Sequence, residues 1–259
     1  MSVKYLVTIV CNFGVFLYQK TAKNAIFTPV KMSVNTLNNL VYEIVMYVKI
    51  YLRQNNRRKA MEKNNLVNIP TDFQRIKTLP EDPANAVAYA KGTQFSNMFL
   101  MIFPIESQKA MPYGDEKTVI DGIHGALAED QGLVEVKSGI TNAQKRYIYS
   151  VVKSKLQPSG IQYILTMHID AGSHTINIQL NCDETGMTGM RDTTIMNKMI
   201  NEGKITPPAM EGWFSDPYDD NYKKGLLRNE SEKPEYDALF PQHPLSETRN
   251  LIKYIIENN

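Results

Sequence analysis

The apolar residues of this chain fall into regular periods from Asn97 onward, most clearly between Lys145 and Met199. Three stretches there alternate with period two, the signature of strands packed on one face. Tyr147, Tyr149 and Val151 share one side of the first, and Ile161, Tyr163, Leu165, Met167 and Ile169 share one side of the second. In the third, Ile176, Ile178, Leu180 and Cys182 alternate with Thr175, Asn177, Gln179 and Asn181. Gln157-Pro158-Ser159-Gly160 suits a β-turn and Asp170 to His174 supplies the next reversal, so the spacing predicts a meander. After a turn-rich loop from Asp183 to Met190, Asp192 or Thr193 is expected to cap a helix carrying Ile195, Met196, Met199 and Ile200. That helix should end near Gly203 and lie against the apolar face of the sheet.

Upstream, Asn97 to Phe103 reads as a strand, Thr118 to Leu127 as a helix presenting Val119, Ile120, Ile123 and Leu127, and Leu133 to Lys137 as a further strand. Helices bracketing an antiparallel run indicate an α+β fold, an α/β/α sandwich with a central antiparallel sheet, rather than a doubly wound parallel sheet. The segment from Thr206 to Pro244 is irregular, with Pro207-Pro208 and the one tryptophan, Trp213. Ser246 is expected to cap a final helix with Leu251, Ile252, Ile255 and Ile256 on one face.

Charge divides the chain. Residues 1–60 hold nine Lys or Arg against the single acid Glu43, a net of +8, which leaves 61–259 with twenty basic and twenty-six acidic residues, a net of −6. Three readings compete for the basic piece. Tyr5 to Tyr18 has the apolar character of a signal-peptide core, with Ala22-Lys23-Asn24-Ala25 as a poor cleavage region. Leu40 to Leu52, interrupted by Glu43 and Lys49, resembles an amphipathic surface helix more than a membrane span. Alternatively, Arg57-Arg58-Lys59-Ala60-Met61 can be encoded by AGG AGG AAA GCN ATG, a bacterial ribosome-binding sequence before a start codon, which places the start of translation at Met61. The expected organisation is then a basic segment 1–60, an α/β/α domain 61–204, and a tail 205–259 tethered by its terminal helix. A start at Met61 gives a cytoplasmic bacterial protein whose lone Cys182 sits on the apolar parity of its strand, as a small buried hydrophobe. Membrane association or export is expected only if residues 1–60 are a genuine part of the protein.

Candidate chemistry is sparse. His168, Asp170 and His174 are the one local cluster of metal-ligand type, but strand parity sends His168 and Asp170 to the polar face while His174 shares the parity of Ile176 or lies in the turn, so no metal is expected. His124 follows Ile123 on the first helix with no convergent carboxylate in view, and His243, between Pro241 and Pro244, is expected to serve turn geometry. The loop Gly186 to Thr194 has the materials of an anion site, but lacks a Walker lysine and a dinucleotide fingerprint. Arg191 and Asp192 are its best polar pair, either as ligand contacts or, in the plainer reading, with Arg191 paired to a neighbouring carboxylate. In the tail, Trp213 and Tyr218 either pin an extended segment to the domain or form a strap for a partner. Lys145, Arg146, Lys153 and Lys155 read as a solvated strand edge. The acidic balance of 61–259 disfavours nucleic acid. No catalytic residue, cofactor or metal is assigned, and the chain is expected to be non-enzymatic.

The order of elements resembles the PsbP-like superfamily, the fold of the photosystem protein PsbP and the Ran-release factor Mog. The resemblance runs from Ile69 to Ile200 and rests on Pro70-Thr71-Asp72-Phe73, the Ala88-Tyr89-Ala90 and Asn97-Met98-Phe99-Leu100 strands, the helix at 118–127, the meander to Cys182 and the closing helix. It implies an α/β/α sandwich acting as an accessory protein, adaptor or chaperone for a protein partner, engaged through the exposed sheet face or the aromatic tail. It carries over no site residue. The alternatives are a small-ligand protein or enzyme using the Arg191 loop, for which a concave pocket beside Arg191 is expected, and a membrane-anchored domain.

Overall fold

The computed structural model describes residues 66–259 and, before them, the backbone of three strands. β1 (Leu6–Cys11), β2 (Gly14–Thr21) and β3 (Asn24–Val30) pair antiparallel in that order, in a unit separate from the rest. β1 and most of β2 fall within the apolar stretch read above as a signal-peptide core. The helix expected at 40–52 and the start expected at Met61 lie outside the described residues. Among the described residues no helix is long and apolar enough to cross a membrane.

The second unit, Leu66–Asn259, is built on one seven-stranded sheet. Its elements are β4 (Gln74–Ile76), β5 (Val87–Gly92), β6 (Ser96–Ile105), α1 (Glu116–Ala126), β7 (Gln131–Ile140), β8 (Arg146–Lys155), β9 (Ile161–Asp170), β10 (Thr175–Glu184) and α2 (Met190–Asn201). A two-stranded pair follows, β11 (Phe214–Ser215) with β12 (Arg228–Asn229), and then α3 (Pro244–Asn258). The strand order β4-β5-β6-β10-β9-β8-β7 is antiparallel throughout. The expected meander is β8-β9-β10, and the α1 connection carries the chain from β6 to the far edge. The fold is therefore α+β, with helices on both faces of a central antiparallel sheet.

One face buries Met98, Leu100 and Ile102 of β6, Tyr163, Leu165, Met167 and Ile169 of β9, and Ile176, Ile178, Leu180 and Cys182 of β10. The closing helix α2 does not cover it, contrary to the expectation from its apolar stripe. α3 does, through Leu245, Leu251, Ile252 and Ile255, none more than 4% exposed. The reason is apolar reach. α2 buries only Ile195 and Met199 among its apolar residues and needs Ile205 and Trp213 to enclose them, whereas each of the four α3 side chains contributes ~1.5–3 kcal/mol on burial. On the opposite face α1 sets Val119, Ile120 and Ile123 against Leu133, Val136, Ile148 and Val152 of β7 and β8. A bulge between Leu133 and Glu135 lets Val134 join the α3 side while Leu133 and Val136 keep to the α1 side.

Three local expectations are corrected. α2 is capped by Gly189 in the left-handed region (φ 73°), not by Asp192 or Thr193, and the Glu184 carboxylate accepts the Gly189 N–H at 2.8 Å. α3 is capped by His243 rather than Ser246, because Pro244 at the first helical position fixes the start there. Lys153 is no edge charge: β8 is interior, between β7 and β9, and Lys153 is 2% exposed with its Nζ 2.6 Å from Glu232 Oε2.

Candidate functional site

Arg191 lies in the first turn of α2 and is fully buried, its guanidinium spent on the chain that follows Trp213. Nε donates to the Ser231 carbonyl (2.7 Å), Nη1 to Ser246 Oγ (2.9 Å), and Nη2 to the Lys233 carbonyl (3.1 Å) and Asp237 Oδ1 (2.9 Å). Asp192 accepts from Ser231 Oγ at 2.5 Å, and burial raises its carboxyl above the ordinary carboxylate value. Both residues therefore bind α2 to the segment 229–246 and offer no charge outward. Asp237 also meets Arg249 Nη1 at 3.0 Å, and Arg249 Nε donates to Glu135 Oε2 at 3.0 Å, so the network runs on to β7.

Beside Arg191 a cleft of 260 Å³ opens between the α2 N-terminus and the turn at 239–243. Its wall is mostly apolar, formed by Phe95, Met187, Met190, Leu239, Phe240 and Pro241, with Glu184, Gln242 and His243 as further polar members. Met187 and Leu239 at its rim are 69% and 63% exposed. The Glu184 oxygens accept from the backbone N–H groups of Gly189 and Ile161, and burial raises its carboxyl. His243 is pushed down to about 3 by burial and by Arg191 and Arg249, so its imidazole is neutral.

Trp213 is buried against Ile195, Met199 and Ile205. Tyr218 is partly exposed, and its hydroxyl accepts the Val136 N–H (2.5 Å) and donates to the Val136 carbonyl (3.0 Å), filling the hydrogen-bond positions of a neighbouring strand at the outer edge of β7. Glu116 Oε1 accepts the Ser138 N–H on the same edge (2.7 Å), and the Leu226 N–H donates to the Gln131 carbonyl (2.7 Å). A Cβ on Gly132 would meet the Leu226 carbonyl oxygen at 1.6 Å, so only glycine allows this approach. The absence of a carboxylate beside His124 is also corrected. His124 Nε2 donates to Asp216 Oδ2 at 2.9 Å, the Tyr222 ring stacks on the imidazole at 3.9 Å, and the Tyr222 hydroxyl donates to the His124 carbonyl. Sequence could not place this pair, because 92 residues separate its members. The tail is thus pinned along α1 and β7.

The histidines near the β9–β10 turn go to separate partners. His168 Nδ1 accepts the Met111 N–H at 2.9 Å beneath the β6–α1 connection, and burial pushes the ring down to about 4. Asp170 pairs with Arg146 at 2.7 Å, and His174 Nδ1 lies 3.1 Å from Ser173 Oγ.

The surface left open is half of a sheet face. α1 covers β7 and β8, and beyond it two cross-strand rows continue across β4, β5, β6, β10 and β9. One is Gln74–Ala90–Phe99–Asn181–Ile164 and the other Ile76–Ala88–Met101–Gln179–Thr166. None of these ten residues is charged; Gln74, Ile76, Phe99, Gln179 and Asn181 are exposed, while Ala88 is buried. Sequence parity foretold which residues of β10 share this face; its extent depended on where α1 stops.

No protein-family model matches the chain, and no curated protein matches it in sequence. Among solved structures it is similar to the Ran-binding protein Mog1p of Saccharomyces cerevisiae, at 14% identity and a TM-score of 0.34 over 51% of this chain and 77% of that one. A point mutant of protein Mog1 gives 12% identity and a TM-score of 0.33 over the same shares.

Proposed function

We propose that this is a non-enzymatic bacterial accessory protein, adaptor- or chaperone-like and cytoplasmic, that engages a protein partner through the open half of its sheet. The observation that carries the proposal is the uncharged pair of rows centred on Phe99 and Met101. A solvated sheet face ordinarily carries charge, whereas the cores of protein interfaces are depleted of it and enriched in Phe and Met. The five strands give the face a width of about 19 Å. Trp213 is committed to the interior and Tyr218 to the β7 edge, which favours the sheet over the aromatic tail. The pattern-level resemblance to PsbP-like accessory proteins points the same way. The acidic balance of 61–259 disfavours a nucleic-acid partner, and the bacterial attribution rests on Arg57-Arg58-Lys59-Ala60-Met61, residues that a ribosome-binding sequence before a start codon can encode. In this reading Arg191, Asp192, Trp213 and Tyr218 serve to hold residues 205–259 on the scaffold of 61–204.

Site-specific photocrosslinking in the native host tests the proposal. A photoreactive phenylalanine analogue at position 99 is expected to capture one dominant protein. Capture confined to positions 187 or 218, or none at 99, would contradict it.

A further inference from the structure

The His243 imidazole at the cleft beside α2 has one ring nitrogen with no hydrogen bond to any described residue. His243 Nδ1 accepts the Leu245 N–H at 3.2 Å as the cap of α3, which places the proton of the neutral ring on Nε2. The side chain is 10% exposed, and the nearest carboxylate oxygen, Glu184 Oε1, lies 3.9 Å from Nε2, outside hydrogen-bonding range. That oxygen already accepts from Gly189. His243 shares this cleft with Phe95, Met187, Met190 and Phe240. A bound acceptor replaces water on this donor with a direct hydrogen bond, worth roughly 0.5–1.5 kcal/mol net.

We infer that this cleft is a ligand site, separate from the sheet face, for a small uncharged molecule with an apolar body and one carbonyl-type acceptor for His243 Nε2–H. Its 260 Å³ is the space of about eight or nine waters in the liquid, enough for one substituted ring and below the range of most drug-sized sites. An anion would face Glu184, and four donor contacts of Arg191 are already made inside the protein. A cation would face the His243 N–H with Arg191 and Arg249 behind it. The thioethers of Met187 and Met190 adapt to the shape of an apolar body better than branched side chains do.

The test uses the whole protein with ¹³C-methyl methionine and four probes sharing one ring: acetophenone, ethylbenzene, benzoate and benzylammonium. Acetophenone is expected to shift the Met187 and Met190 methyls saturably and to bind about three- to tenfold tighter than ethylbenzene, the worth of one net hydrogen bond, with both ions weaker still. In His243→Asn a good helix cap is kept but the donor no longer reaches the cleft. Acetophenone should then lose its advantage over ethylbenzene while the unfolding transition remains cooperative. In a second variant, Met187→Asp, both uncharged probes should weaken. The inference is overturned if acetophenone leaves the two methyls unshifted, if either ion binds as tightly, or if the advantage survives His243→Asn. If His243→Asn does not fold, Met187→Asp and the probe ranking on the unaltered protein decide the matter. Neither result bears on capture at position 99.

Discussion

Individual residues carry the costly part of this structure. Lys153 and Glu232 are 2% and 0% exposed, and Glu232 also accepts from the Tyr163 hydroxyl and the Asn229 N–H. Removing one partner leaves a buried charge, so Lys153→Met is expected to lower unfolding free energy by ~3–5 kcal/mol, measurable by urea titration. His168 and His243 supply a pH dependence of known sign. Both bind a proton less well when folded, so their contribution is complete above about pH 6.5 and falls as pH drops. The loss is ~1.4 kcal/mol per pH unit for each ring, down to about 4 for His168 and about 3 for His243. Glu184 and Asp192, raised by burial, act in the opposite sense at lower pH. Between pH 6.5 and 5, His243→Asn should therefore lose ~2 kcal/mol less stability than the parent protein, as urea titrations across that range would show.

Among the elements, the tail and the β7 edge depend on one another. Tyr218→Phe removes the hydroxyl that serves both the N–H and the carbonyl of Val136. It should cost ~1–2 kcal/mol and speed amide exchange at Val136 while leaving β9 and β10 unaffected. Most strands and helices were legible in the chain, since period two marked β8, β9 and β10 and the 3.6 period marked α1 and α3, whereas the short β4, β11 and β12 carry no such period. What covers each face was not. The α2 stripe of Ile195 and Met199 reads as a sheet-facing surface until Trp213, 14 residues past Met199, is folded back onto it. The caps escaped for a similar reason: Gly189 and His243 act through backbone conformation and Pro244, whereas Asp192 and Ser246 had the expected side chains in nearly the right places. A cleft beside Arg191 was expected only under the small-ligand alternative, and His243, which also lines it, is brought there from 52 residues further along.

For the molecule as a whole, the covering of the sheet is asymmetric. α3 closes one face with Leu251, Ile252 and Ile255, and Ile255→Ala should cost ~2–5 kcal/mol as a fully buried truncation. On the other face α1 covers β7 and β8 and the β6–α1 connection covers His168, leaving Phe99 and Met101 beside Ala90, Gln179 and Asn181. Because Phe99 is 38% exposed, an acidic residue there is tolerated by the fold but not by an apolar interface. The most direct test is titration calorimetry of the partner captured at position 99 against the parent protein and Phe99→Asp, with cooperative unfolding confirmed for both. Binding weakened at least tenfold, ~1.4 kcal/mol, is the expected result; an unchanged affinity in a folded Phe99→Asp protein would contradict a partner seated on the open sheet.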